Sequence, residues 1–309
     1  MAISPQAQKR IDFFLESGMR KVFAEPAVFA ATVAEERAKQ EKHQRIEMFD
    51  FAKERCNLDE YIADDGTQIF VMEPKSGTKS DLVIVYYHGG GFLFDVGIGH
   101  VTYCLTLMDA LECTVVLPVV PLVPTADCDR IIASSVASYR SVLDRYPHRR
   151  IVFAGESAGG SLCLAVSMSC PANNLPQPRL IVTCSPFIDF TGTVEESLGY
   201  PTQNDPLIEW YGSRELAKLY SGCHDPHAFP PDPFFGPKEN LAPLLIFAST
   251  NEVLCAGARE FCRMVQEAGG QVDYQPRDGL WHAFLMDSRS GIPEVDEAFE
   301  YATKAIKAC

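Results

Sequence analysis

Val152-Phe153-Ala154-Gly155-Glu156-Ser157-Ala158-Gly159-Gly160 carries an apolar run into Gly-x-Ser-x-Gly, and a small-residue helical pattern over residues 161–168 follows at once. The order is strand, sharp turn, helix. A serine hydroxyl is a weak nucleophile unless the backbone exposes it at a strained turn, where a base can reach it and helix N-terminal amides face the developing charge. Gly155 and Gly159 give that turn its room. Taken alone, the pattern is also compatible with an ordinary glycine-rich turn, so the flanking sequence has to decide.

The chain has 309 residues, 47% of them hydrophobic and 22% charged, a globular composition with enough apolar material for a large core. Its formal net charge of −14 argues against a polyanionic partner such as nucleic acid, which needs clustered Lys and Arg. No apolar run reaches the length of a membrane span, and the first residues are a polar helical pattern rather than a secretion signal, so a soluble, cytoplasmic protein is expected. The 11 cysteines lack the short paired spacings of a disulfide framework or zinc site. They read as buried thiols, and no metal or cofactor is expected. Cys255 is singled out only because it lies close to a candidate acid.

Ahead of the sheet, residues 4–42 show helical spacing through Ile11, Phe14, Leu15, Met19, Val22 and Phe23, restarting at Pro26. Two amphipathic helices packed on the domain, or a lid, satisfy this pattern equally. Strands are expected at 45–51 and 68–72, joined through Asp64-Asp65-Gly66 as an antiparallel start. Residues 82–87 form a continuous apolar run, as in a strand buried on both faces. His88-Gly89-Gly90-Gly91-Phe92 ends it, offering consecutive backbone amides to an anion. No Gly-Lys-Ser/Thr follows, which weighs against a nucleotide. Further strands are expected at 114–117, 180–184, 244–248 and 272–275, with helices at 129–146, 256–268 and 293–307. This alternation predicts an α/β fold with a mostly parallel sheet and helices on both faces. From about 191 to 240 the alternation fails and Pro, Tyr, Trp and Gly dominate, as in a lid or binding element. Trp210 and Tyr211 would line a pocket there or form the insert's own core. One domain over 1–309, with cap elements from about 1–42 and 191–240, is the expected organisation.

A serine at such an elbow needs a base, an acid to orient that base, and amides for the oxyanion. Of the seven histidines, His282 follows the last strand pattern in a short loop. Glu252 follows the 244–248 strand, at the sheet edge beside the elbow. Asp278 is the rival acid, but it lies only four residues before His282, which demands a tight fold-back; Glu252 is preferred. The order nucleophile, acid, histidine is that of elbow-bearing sheets.

His88-Gly89-Gly90-Gly91-Phe92, Gly155-Glu156-Ser157-Ala158-Gly159-Gly160, Asn251-Glu252-Val253-Leu254 and His282-Ala283-Phe284 together resemble the hormone-sensitive lipase family of α/β-hydrolases, over nearly the whole chain. The resemblance implies the α/β-hydrolase fold and a cofactor-free carboxylesterase acting on short- or medium-chain acyl esters. It assigns Ser157 as nucleophile, His282 as base and then acid, Glu252 as orienting carboxylate, and the amides of Gly90, Gly91 and Ala158 to the oxyanion. His88 would shape the glycine loop, Phe92, Phe94, Phe187, Trp210 and Phe284 would supply an apolar pocket, and a homodimer through the last strands is implied. Three departures stand out. Glu252 occupies a position usually held by Asp, as in a known Glu-bearing branch, and Glu156 replaces Asp before the serine. Val119-Val120-Pro121-Leu122-Val123-Pro124 replaces a Tyr-Arg-Leu-Ala-Pro-Glu type segment, removing polar contacts from beneath the glycine loop. Residues 185–192 resemble bacterial lactone-opening members, and amidase or deacetylase activity uses the same triad. Plant gibberellin receptors share the fold without the histidine, so the presence of His282 favours an enzyme.

Overall fold

The computed structural model describes residues 3–41, 47–194 and 205–309. Eight strands form one sheet in the order β1-β2-β4-β3-β5-β6-β7-β8. They are β1 (Cys56–Ile62), β2 (Gln68–Pro74), β3 (Leu82–Tyr87), β4 (Thr114–Val119), β5 (Arg150–Glu156), β6 (Leu180–Cys184), β7 (Leu244–Ser249) and β8 (Val272–Arg277). Only β2 runs against its neighbours; every pair from β4 to β8 is parallel. Strands β3, β4, β6 and β7 are buried along their whole length, which accounts for their unbroken apolar sequences.

Helix α4 (Glu47–Arg55) precedes β1, α5 (Ile98–Leu111), α6 (Cys128–Arg145), α7 (Ala158–Ser169) and α9 (Cys255–Glu267) lie between the strands, and α10 (Pro293–Ala308) follows β8. The chain crosses from β3 to β4 through α5, then returns past β3 to β5 through α6. Right-handed crossovers in opposite directions put α5 on one face and α6 and α7 on the other. The reversal opens a crevice at the carboxyl ends of β3 and β5, where Tyr87 pairs with Gly155. The glycine loop and the serine elbow leave the sheet there, side by side.

The strand expected at 45–51 is a correction. Residues 45 and 46 lie outside the described residues, and 47–55 form helix α4, followed by the true first strand β1. Phe49 and Ala52, three apart and fully buried, share the inward face of α4, and Phe49 stacks on Phe70 at 3.8 Å. β1 escapes sequence reading because it is an edge strand whose Asn57, Asp59 and Glu60 lack any apolar run. Its antiparallel pairing with β2 through the Asp64-Asp65-Gly66 turn is as expected.

At the N-terminus, α1 (Pro5–Ser17), α2 (Arg20–Ala24) and α3 (Pro26–Glu41) precede the sheet, and α8 (Trp210–Ser221) comes from the excursion after β6. Helix α2 packs on α8, with Gly212 against the backbone of Phe23. Helix α1 docks on the other side: Phe14 packs against Trp281, while Arg10 and the Trp281 indole N–H both bond to Asp287. The N-terminal helices are thus packed on the domain and, through Met19 and Phe23, also reach the cavity described below. No described helix is long and apolar enough to cross a membrane.

Phe153 tests the core directly. It is fully buried in mid-β5, edge-on to Tyr139 at 4.6 Å and to Tyr87 at 5.8 Å. Phe153→Ala is expected to lower stability by about 3–5 kcal/mol, read as a reduced urea midpoint with little change in slope.

Candidate active site

Ser157 has φ 52° and ψ −125°, an unfavourable backbone for a side-chain-bearing residue. The surroundings enforce it. Its N–H donates to Cys184 O at 3.0 Å, and its carbonyl accepts from Phe187 N at 2.9 Å. Gly159 sits so close to the Tyr87 carbonyl that a Cβ would collide with it, so only glycine lets α7 start this near β3. Ala158 becomes the first residue of α7, and its amide has no intrahelical partner.

On the facing loop, Gly90 takes φ 99°, where a larger residue would be strained. Its carbonyl accepts from Phe94 N at 2.9 Å, closing a turn. Among the described residues, the amides of Gly90, Gly91 and Ala158 donate to no other group. Gly89 is different, since its N–H donates to Glu156 Oε1.

Glu156 is the hub beneath this loop. Besides Gly89 N–H, its buried carboxylate accepts from Tyr86 O–H and from His100 Nε2 at 3.2 Å. Gly97 N donates to His100 Nδ1 at 2.8 Å, which leaves the ring proton on Nε2, facing Glu156. Burial pushes the Glu156 carboxyl up, but His100, Tyr86 and the Gly89 amide outweigh it and hold the group below the usual range. His88 lies 5.2 Å from His100 ring to ring. Burial first, and then His100, push it down to about 4, so it is neutral and donates from Nδ1 to Gly89 O at 2.8 Å. Polar support from the 119–124 side comes from elsewhere in the chain. Gln40 of α3 donates to Val123 O at 2.9 Å and Leu93 O at 3.2 Å, and Val123 N donates to Phe92 O at 2.9 Å.

Glu252 and His282 meet across the ends of β7 and β8. His282 Nδ1 lies 2.7 Å from Glu252 Oε2, and Glu252 Oε1 accepts from Ser249 N at 2.8 Å. The histidine loop is fixed by Ala283 N donating to Ser185 Oγ and by Ser249 Oγ donating to Leu280 O. Asp278 is exposed and makes no hydrogen bond to His282. Burial lowers the His282 pKa, yet the hydrogen bond and charge of Glu252, with Asp205, more than reverse this and raise it.

Asp205 was invisible to sequence reading. Buried within the excursion after β6, it accepts from Leu207 N, Ile208 N and Val253 N, tying that segment to the turn that bears Glu252. Tyr86, His100 and Gln40 were missed as well. His100 sits three residues after Gly97, a helix-start signal that conceals its second role. Cys255 lies 3.5 Å from Tyr274 O–H, and burial pushes its thiol up to about 11, away from the reactive thiolate.

A cavity of about 220 Å³ joins these groups: Gly90, Gly91, Ser157 and His282 line it, with Phe94, Phe187, Leu207, Ile208 and Leu216 as its apolar wall. The Ser157 and His282 side chains share it without a hydrogen bond between them; such contacts are often loose without substrate. Phe92, Trp210 and Phe284, expected in this wall, are not in it. Phe92 stacks on Tyr220 at 3.8 Å, Phe284 is fully buried against Phe247, and Trp210 packs on Gly192. Each locks a loop to its neighbour instead. A larger groove of about 710 Å³ beside α3 and the end of β4 contains neither Ser157 nor His282.

The family model described as the alpha/beta hydrolase fold matches residues 84–286. The chain belongs to this family, and its motifs group it with the hormone-sensitive lipases. An esterase of Acinetobacter venetianus is 25% identical over 75% of this chain and 78% of its own length. An acetyl-hydrolase of Streptomyces hygroscopicus is 26% identical over 65% and 67%. In fold, the crystal structure of an esterase from the bacterial hormone-sensitive lipase family superposes with a TM-score of 0.78 at 23% identity, covering 98% of this chain and 99% of that one.

Glu156→Gln keeps the shape of the hub but puts an amide N–H₂ among groups that need an acceptor. Ester turnover is expected to fall about tenfold to a hundredfold, with a folded protein by circular dichroism and a small change in KM. Unchanged kcat would remove Glu156 from the support of the glycine loop.

Proposed function

We propose that the chain is a serine carboxylesterase for small acyl esters, working through Ser157, His282 and Glu252. The observation that carries this reading is the Glu252–His282 hydrogen bond at 2.7 Å, with His282, a strained Ser157 and the uncommitted Gly90 and Gly91 lining one small cavity. Glu252 orients the imidazole so that Nε2 faces the cavity as an acceptor. Ser157 Oγ attacks the ester carbonyl while His282 takes its proton, and the amides of Gly90, Gly91 and Ala158 receive the oxyanion. Each such donor contributes about 2.7–4 kcal/mol to the transition state. Protonated His282 then gives its proton to the leaving alcohol, and water repeats the sequence on the acyl-enzyme. A cavity of about 220 Å³ favours short acyl groups, in keeping with the acetyl-hydrolase among the relatives. The presence of His282 beside Ser157 favours catalysis over passive binding.

Two measurements test the assignment. With p-nitrophenyl esters of two to twelve carbons, wild type is expected to show a burst and to prefer the shortest chains, and Ser157→Ala to show no burst. A burst that persists in Ser157→Ala sinks the nucleophile assignment, and a preference for the longest chains sinks the small-acyl reading.

The pH profile supplies the second. His282 must be neutral to act as base, and its pKa is raised above 6.5. The acid limb of kcat/KM should therefore lie above that value and fall as pH drops through it. Glu252→Gln removes the charge that raises it. The limb should move to lower pH, with turnover reduced by about a thousandfold or more. An unmoved limb with near-normal turnover would exclude Glu252 as the orienting acid.

A further inference from the structure

Away from the cavity, Cys128, Asp129 and His224 bring a thiol, a carboxylate and an imidazole together, with their donor atoms all within 4.8 Å of one another. Cys128 and Asp129 open α6, and His224 lies just beyond the end of α8. His224 Nε2 is 2.9 Å from Asp129 Oδ2, and the Cys128 thiol points at Ser221 O, the last residue of α8, at 3.8 Å. Two segments far apart in sequence thus converge where the cap helix meets the body. Neither segment carries a paired Cys or His spacing, so no local pattern announces a metal centre.

The donor types select the ion. Calcium and magnesium take oxygen ligands, whereas a thiolate with an imidazole and a carboxylate suits a borderline-soft ion such as zinc. Tetrahedral zinc holds nitrogen and sulfur donors about 3.5 Å apart, and the donor atoms here all lie within 4.8 Å of one another. The fourth position is left to water. Local charge agrees: Asp127 adjoins Cys128 in the chain, while the neighbouring cation, Arg130, is turned away to the Asp65 carbonyl and carboxylate. The half-exposed His224 and the exposed Asp129 leave the cluster open to solvent.

We propose that Cys128, Asp129 and His224 form a zinc site that clips the end of α8 to the start of α6. Because Ser213 and Leu216 of α8 line the substrate cavity, the occupied site holds one cavity wall in place. On binding, the Cys128 S–H proton and any proton on His224 pass to solvent, and zinc remains divalent.

The test uses the full chain, stripped with EDTA and titrated with Co²⁺ as a spectroscopic stand-in for zinc. A single equivalent of Co²⁺ should give a thiolate-to-cobalt charge-transfer band in the near ultraviolet, and Zn²⁺ should abolish it. Cys128→Ser should lose the band. Since Cys128 is buried, His224→Asn provides a variant on a more exposed side chain. It should weaken Co²⁺ binding by about tenfold or more while melting like wild type in EDTA. Zn²⁺ should raise the Tm of wild type but not of His224→Asn, and Cys223→Ser should keep the band. Absence of the band in wild type overturns the proposal, as does a band that survives Cys128→Ser or vanishes in Cys223→Ser.

Discussion

The architecture of the site depends on the close approach of Gly159 to the Tyr87 carbonyl. Strand β5 can end beside β3 and turn at once into α7 only because no Cβ stands between the helix and that carbonyl. The approach forces Ser157 into its strained backbone and aims the first amide of α7 toward the loop leaving β3. The proposed nucleophile and oxyanion donors are thereby fixed by sheet pairing rather than by flexible loops. Preorganisation of this kind spares the reaction the cost of orienting dipoles as charge develops.

The remaining groups are brought to that point by neighbouring strand ends. Ser185, at the end of β6, takes hold of the histidine loop through Ala283, and Ser249, at the end of β7, holds both Glu252 and Leu280. Asp205 then binds the turn bearing Glu252 from the cap side. Leu207 and Ile208 of the same segment line the cavity, so one stretch of chain touches both the turn bearing Glu252 and the apolar wall.

What the sequence made legible follows the strength of the local signal. The buried runs of β3 to β7, the elbow and the glycine loop are continuous in the chain and were readable. Glu252 and His282 were readable because each directly follows a strand. β1 was not, since an edge strand with Asn57, Asp59 and Glu60 lacks the apolar run that marks its neighbours, and α4 was mistaken for a strand because its aromatic residues also alternate over a short window. The pocket was half legible. An aromatic residue near a motif can line the cavity, as Phe94 and Phe187 do, or lock a loop, as Phe92 does against Tyr220. Residue type does not decide between them; the tertiary direction of the side chain does. Gln40 and Asp205 act across long separations, and no local pattern announces them.

Two imidazole–carboxylate pairs flank Ser157, and their opposite demands explain the chemistry of Glu156. In the first pair, Glu252 supports a histidine that becomes positive in the proposed reaction. In the second, an ionised Glu156 lies beneath the loop proposed to receive the oxyanion, where an uncompensated negative charge would oppose it. Three donors offset that charge: Tyr86, His100 and the Gly89 amide. Engaging Gly89 also turns the charge to use, because that bond fixes the peptide immediately before Gly90 and Gly91. The longer arm of glutamate carries the carboxylate to Tyr86, and His100 completes its coordination from α5. The polar support expected from the 119–124 segment is thus redistributed to Glu156 below the loop and Gln40 beside it. Without both, the backbone of the glycine loop would lose the hydrogen bonds that Glu156 and Gln40 give its two flanks.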